Sequence, residues 1–368
     1  MLATEIVLPG IGEPETLEVR QRQLPAPGAG EAMIRVEATG VSFAEQSMRR
    51  GLYPVGQPKF PFVPGYDLVG TVEALGPGVT GLAVGQRVAA LTKLGGWANH
   101  VTLPAEELLP VPGDLDPAEV ETLIVNGLTA WQMLHRQARV RRGQTILVHG
   151  ASGGVGTTLV QLARHAGIRV IGTAAPRHHA ALRELGVEPL DYNDPDLVGS
   201  VRTLAPGGVD AAFDHLGLPS AAHSFGLLAP GGALVCYGMI NAIRDHTPAM
   251  QAFAGLLSRV TLWNLLPNRR RAAFYDLWGG HLVRRSAFYP QGGSRWDGVG
   301  HGGGHLVRRS AFYRRARTDM AQILDLLAAG ALTPQIAARL PLTQAAEAMR
   351  LAESRTVFGK VVLIPGLH

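Results

Sequence analysis

The stretch ILVHGASGGVGTTLVQLARHAG, Ile146 to Gly167, constrains this chain more than any other. A short apolar run ends in a glycine-rich turn, and a helix pattern follows at once. Val155, Leu159, Leu162, Ala163 and Ala166 fall on one helical face, and Gly167 suits the position just past a helix end. Glycine permits a tight turn and lets the backbone approach a ligand closely. The N–H groups and dipole of a helix start then favour a diphosphate. Gly150, Gly153, Gly154 and Gly156 read GxxGGxG rather than GxGxxG, so the weight comes from the strand–turn–helix context. No Gly-Lys-Ser/Thr ending follows, which disfavours a nucleoside-triphosphate loop.

The rest of the chain changes rhythm around this unit. Up to about Pro112 it reads as short strands. MIRVEATGV alternates at period two, LVGTVEAL, QRVAAL and WANHVTL follow, and Gly/Pro clusters separate them. Such spacing predicts a small barrel or sandwich. From Asp116, a helix N-cap with Pro117 in first position, strands alternate with helices: TILVHG, RVIGTA, EPLDY, DAAFDHLG and GALVCYG. That alternation predicts an α/β architecture with a doubly wound parallel sheet. The rhythm stops near Leu266. It resumes with a helix from Asp319, carrying Met320, Ile323, Leu324 and Leu327, and closes with a helix from Thr343 and the strand GKVVLIP.

Cofactor choice is read at the end of the second strand of the α/β part. An NAD site usually carries Asp or Glu there. The sequence VIGTAAPRHH offers Thr173, Ala174 and Ala175, no acid, then Arg177, His178 and His179. A missing carboxylate removes repulsion toward a 2′-phosphate, and Arg177 is placed to pair with it. The expectation is NADP(H). The plainer alternative makes these cations an exposed helix start.

Together, GLYP…PFVPGYDLVGTVEALGPGVTGLAVGQRV, NGLTAWQML, ILVHGASGGVGTTLVQLAR, VDAAFDHLG and FGKVVL, in this order, resemble the zinc-independent quinone oxidoreductase branch of the medium-chain dehydrogenase/reductases. The resemblance covers nearly everything except about Trp278 to Arg314. It implies a GroES-like β-barrel catalytic domain (1–120 and 318–368), a Rossmann domain (121–267) and an active site in the cleft between them. It leaves 268–317 as a basic connection. It also implies that Asn126 and Thr129 lie near the nicotinamide and that Ser152, Gly153, Gly154 and Val155 hold the diphosphate. Thr173, Arg177, His179, Tyr192 and Lys360 fall on the cofactor side. A homodimer through the Rossmann sheet edge, assigned to RVTLWNLL, is a further implication.

Departures from the family pattern bear on mechanism. Zinc members carry Cys where this chain has Ser42, and His-Glu where it has Tyr66-Asp67. Hydroxyl and phenol groups are poor zinc ligands, and the cysteine lobe for structural zinc is missing. His301 and His305 belong to no credible constellation, so the expectation is a protein with no metal. Without a Lewis acid, plain alcohol oxidation is disfavoured. Acceptors that take hydride at a conjugated carbon, quinones or α,β-unsaturated carbonyls, fit better. Tyr53 and Ser42 are the candidate catalytic residues: Tyr53 as donor to the developing oxygen or only as a pocket lining, and Ser42, with Glu45, as a polar pocket residue or as filling.

Composition closes some classes. Hydrophobic residues make up 46% of 368 and charged residues only 17%, ample for a core. A lone cysteine, Cys236, rules out a disulfide framework. No basic leader or membrane-length apolar run is present, so a soluble cytoplasmic protein is expected. Net charge is +5, yet Asn268 to Arg317 holds eleven arginines and two aspartates, or +9, leaving −4 for the remainder. Inside that block GGHLVRRSAFY occurs at Gly279–Tyr289 and again at Gly303–Tyr313, with a period of 24. The reading is a tandem duplication in a surface connection. Its rivals are a basic arm for nucleic acid or a membrane surface, and a non-catalytic NADPH-binding protein. A zinc-free alcohol dehydrogenase and an enoyl-thioester reductase also stay open.

Overall fold

The computed structural model describes residues 1–53, 56–245, 247–278 and 303–367, with side chains left out at 243, 244 and 303–310. The chain divides into two compact units, Met1–Leu128 with Gln291–His368, and Thr129–Pro290.

In the first unit β1 (Leu2–Val7) pairs antiparallel with β2 (Glu18–Gln23). Then come β3 (Glu31–Val41), α1 (Phe43–Arg49), β4 (Asp67–Leu75), β5 (Arg87–Leu91), β6 (His100–Pro104) and β7 (Leu109–Pro110). β3 organises this unit. It pairs with β4 along most of its length, with β6 over residues 31–35 and with the chain's final strand over residues 39–41. Register shifts at Met33/Ile34 and Val36/Ala38 bend it enough to serve all three. Its alternating Ala32, Ile34, Val36 face packs on Leu68, Val72, Val88 and Ala90. Asp116 caps α2 (Pro117–Trp131) as the sequence predicts, accepting from the Ala118 and Glu119 amides at 2.9 and 3.0 Å.

In the second unit strands alternate with helices, with two helices before the last strand: β8 (Thr145–His149), α3 (Gly154–His165), β9 (Arg169–Ala174), α4 (His179–Glu184), β10 (Val187–Asp191), α5 (Leu197–Leu204), β11 (Val209–Asp214), α6 (Leu218–Gly226), β12 (Leu228–Cys236), α7 (Ile240–Arg244), α8 (Ala249–Leu265) and β13 (Arg271–Phe274). Its strands are all parallel, in the order β10-β9-β8-β11-β12-β13. Numbered within the sheet this is 3-2-1-4-5-6, the Rossmann order, which reverses beside the first strand. Leu147, Ile171, Ala212 and Leu234 fill its centre, and Phe225 stacks on Trp263 at 4.7 Å. Cys236 is buried here, and burial pushes its thiol well up.

The chain then returns to the first unit through α9 (Gly303–Ala328), β14 (Ile336–Pro341), α10 (Ala345–Glu353) and β15 (Lys360–Ile364), completing the sheet β14-β15-β3-β4-β5-β7. Three expectations change. RVTLWNLL is no sheet edge but the second half of α8. The edge is β13, four residues that lie past the expected boundary at 267. The unit boundary falls inside α2 rather than at 120, because that helix runs unbroken past Leu128. The second repeat copy, expected in a surface connection, opens α9, where its Tyr313 is buried. The first copy, and the His301 position, lie outside the described residues. Among the described residues no helix is long and apolar enough to cross a membrane.

Candidate functional site

In the second unit, the glycine turn sits at the C-terminal end of β8, the central strand. Gly150 takes φ +65°, a left-handed conformation that favours glycine, and a Cβ there would strike the His215 ring. The Gly150 carbonyl accepts from the Gly153 amide at 3.0 Å. A Cβ on Gly156 would collide with that same carbonyl. Gly150 and Gly156 therefore shape the turn from within. Gly153 differs. It caps α3 from outside, is exposed, and a Cβ there would meet only Gly150 O at 3.5 Å. α3 has no side-chain cap and no acid in its first turn. Its leading amides lack intrahelical acceptors. A diphosphate fits this cradle of Ser152, Gly153, Gly154 and Val155, because the backbone donates and no carboxylate opposes it.

At the next strand end, Arg177 is exposed in the turn Pro176–His178. The Ala174 carbonyl gathers two of the expected residues, accepting from His179 Nε2 at 3.2 Å and from the Tyr192 amide at 3.3 Å. Tyr192 is 49% exposed. Thr173 is not at the surface: it is 1% exposed, with its hydroxyl turned inward to His149.

In the first unit, Ser42 is the N-cap of α1. Its Oγ accepts from the Ala44 amide at 3.1 Å and donates to Glu45, whose Oε2 also receives the Ser42 amide at 3.0 Å. This capping box commits the hydroxyl that was expected in the pocket. The other carboxylate oxygen of Glu45 accepts from the Tyr66 amide at 2.8 Å. Glu45 is 1% exposed, and burial raises its carboxyl above the usual range. The two positions that hold zinc ligands in related enzymes are thus tied together by one buried carboxyl. Tyr53 and Tyr66 meet through their hydroxyls at 2.9 Å, and Lys93 Nζ lies 5.7 Å from the Tyr53 ring centre.

Lys360, expected on the cofactor side, is buried among acids. Its Nζ lies 2.6 Å from Glu121 Oε1 and 3.0 Å from Asp67 Oδ2, and all three side chains are nearly inaccessible. The Asp67 oxygen also accepts from the Val125 amide at 3.1 Å. A Cβ on Gly40 would collide with Lys360 and Glu121, so this glycine makes room for the cluster. Burial, although opposed by Lys360, raises the Glu121 carboxyl well above its usual value. Lys360 is thus engaged in an internal ion pair. Asn126 and Thr129 stand one turn apart on α2, both buried.

Residues 28–113 match the alcohol dehydrogenase GroES-like domain, and residues 185–363 match the zinc-binding dehydrogenase family. The human synaptic vesicle membrane protein VAT-1 homolog is 32% identical over 98% of this chain and 86% of its own. The chain belongs to the medium-chain dehydrogenase/reductase superfamily, in its quinone oxidoreductase-like branch. Within that superfamily, a 2-haloacrylate reductase from a Burkholderia species is 30% identical over 96% of each chain. A mycobacterial protein solved in complex with NADPH superimposes with a TM-score of 0.77 at 30% identity, covering 98% of this chain and 100% of that one.

Membership in the superfamily did not reveal the buried polar residues. His149, Asp214 and Glu121 each interrupt an apolar run that the fold buries. A charged or imidazole group at the end of a buried strand must find partners. ILVH and AAFD carried that signal.

Proposed function

We propose that this chain is an NADPH-dependent reductase that delivers hydride to a conjugated acceptor, a quinone or an α,β-unsaturated carbonyl compound. The observation that carries the reading is the first turn of α3: uncapped, free of acids, and placed at the point where the strand order reverses. The strand end Thr173–Ala175 carries no Asp or Glu and Arg177 follows it, which favours the 2′-phosphate. The NADPH complex of the mycobacterial relative supports the cofactor, and the 2-haloacrylate reductase supports an activated alkene.

Dihydronicotinamide supplies the hydride when bound. The chain supplies the rest. Ser152 to Val155 and Arg177 anchor the two phosphate ends, while Asn126 and Thr129 serve the nicotinamide end. Tyr53 donates a hydrogen bond to the oxygen on which charge develops, and the Tyr66 hydroxyl, hydrogen-bonded to Tyr53, orients that donor. Ser42 shapes this region through Glu45 rather than by contact. The donor set opposes zinc, since the Ser42 hydroxyl is a helix cap and Tyr66 offers a phenol. Among the described residues β13 ends this sheet, and its edge is the surface on which a second copy would pair, giving the homodimer.

The test is NADPH consumption, followed by absorbance, with a panel of quinones, enals, enones and 2-haloacrylates. Turnover with one conjugated class supports the proposal. Tight NADPH binding with no turnover across the panel leaves a binding protein instead.

A further inference from the structure

Beneath the glycine turn lies a set of polar side chains that nothing above has used. Asp214 ends β11, Ser220 and Ser224 lie on α6, His149 ends β8 and Thr173 lies on β9. All except Ser220 are buried. At first sight Ser224, His149 and Asp214 make a nucleophilic triad. The order is wrong, because the serine sits between the other two, and it is 0% exposed.

The chain of hydrogen bonds has one direction. The Asp214 carboxylate can only accept. It takes the Leu216 amide at 2.8 Å on one oxygen, and Ser220 and Ser224 hydroxyls at 2.6 and 3.0 Å on the other. Having donated, Ser224 Oγ accepts from His149 Nε2 at 2.9 Å. His149 Nδ1 must then accept, and Thr173 Oγ1 donates to it at 3.2 Å. Thr173 Oγ1 in turn accepts from the Gly150 amide at 3.3 Å, while the Thr173 carbonyl takes the Ala151 amide at 3.0 Å. Every donor in the chain meets an acceptor. The far end holds Gly150 by its amide, and the carbonyl of the same residue, in the next peptide, packs against Gly156 of α3.

We infer that Asp214, Ser224, His149 and Thr173 form a brace that sets the Gly150 peptide, and so the diphosphate turn, with His149 held as the neutral Nε2–H tautomer. Burial also holds the imidazole below its usual range against the pull of Asp214, which agrees with a neutral ring. These are positioning residues, and the inference rests on the reading that the turn binds a dinucleotide diphosphate.

Two measurements test it. Thr173→Val keeps the branched shape but removes the hydroxyl, whereas Thr173→Ser keeps the hydroxyl. Loss of one buried hydrogen bond at the turn is expected to raise the Kd of NADPH about tenfold. ADP-ribose, which has the diphosphate but no 2′-phosphate, should weaken by the same factor, and Thr173→Ser should restore both. A Thr173→Val Kd within about twofold of the parent, or no restoration by Ser, overturns the brace. If Thr173→Val fails to fold, nitrogen-15 spectra of the unmodified full chain decide. A bare Nδ1 and protonated Nε2 on His149 support the brace, and a protonated Nδ1 overturns it. An unmodified chain that binds neither ligand fails the dinucleotide reading, while the spectrum still reports on the hydrogen-bond chain.

Discussion

Arg177 is where the cofactor preference rests on a single side chain. A charge-assisted pair with a 2′-phosphate contributes roughly 1.5–3 kcal/mol when desolvated, and an exposed arginine sits at the low end. Arg177→Ala is therefore expected to weaken NADPH by about tenfold and leave NADH nearly unchanged, as read by titrating both dinucleotides. Equal loss for both would move the discrimination elsewhere. Glu121 carries a prediction of the opposite kind, about stability. Burial holds its folded carboxyl well above the ordinary glutamate range, so the unfolded chain ionises first as pH rises. Below that point the folded and unfolded carboxyls are both neutral. Above it the folded state holds the extra proton and loses stability, by up to about 1.4 kcal/mol per pH unit, until the folded group ionises. Glu121→Gln keeps an acceptor for Lys360 and cannot ionise. Thermal melts between about pH 4.5 and 7 should show the variant gaining on the parent as pH rises. Parallel curves would mean that Glu121 is charged in the fold.

The glycine turn separates two kinds of glycine on one element. Gly156 faces inward, and even Ala there drives a Cβ into the Gly150 carbonyl. Gly153 faces outward, with ordinary contact distances around a Cβ. Gly156→Ala is expected to lower Tm markedly, whereas Gly153→Val should melt close to the parent yet weaken NADPH and NADH alike. A Gly153→Val variant that binds both normally would take the diphosphate away from this turn. Much of this element was legible beforehand, because strand period, glycine spacing and the apolar helix face are local signals. What stayed hidden was long-range. RAAF is too short and too charged at its start to announce the sixth strand; it forms because β12 is there to pair with. Lys360 ends in an ion pair because Asp67 and Glu121, far away in sequence, meet it across Gly40. Thr173 turns inward because His149 needs a donor.

At the scale of the whole chain, the order of motifs disclosed two units, and the return of the last strands to the first sheet followed from the family pattern. The boundaries shifted because a helix spans one of them and β13 lies beyond the other. The duplication offers a test at this scale. Removing residues 281–304 deletes three arginines and one aspartate, and still leaves one GGHLVRRSAFY, whose HLVRRSAFY belongs to α9. Melting temperature and NADPH affinity are expected to stay close to those of the parent. A large fall in either would show that the extra copy packs on the folded body. The central claim concerns hydride delivery to a conjugated acceptor, with Tyr53 as donor to its oxygen. It is tested most directly by steady-state NADPH oxidation in the presence of a chelator, comparing quinones and activated alkenes with saturated aldehydes. The account predicts turnover of the conjugated acceptors, insensitive to the chelator, with Tyr53→Phe lowering kcat about tenfold or more. Preference for the saturated aldehydes, abolished by the chelator, would contradict it.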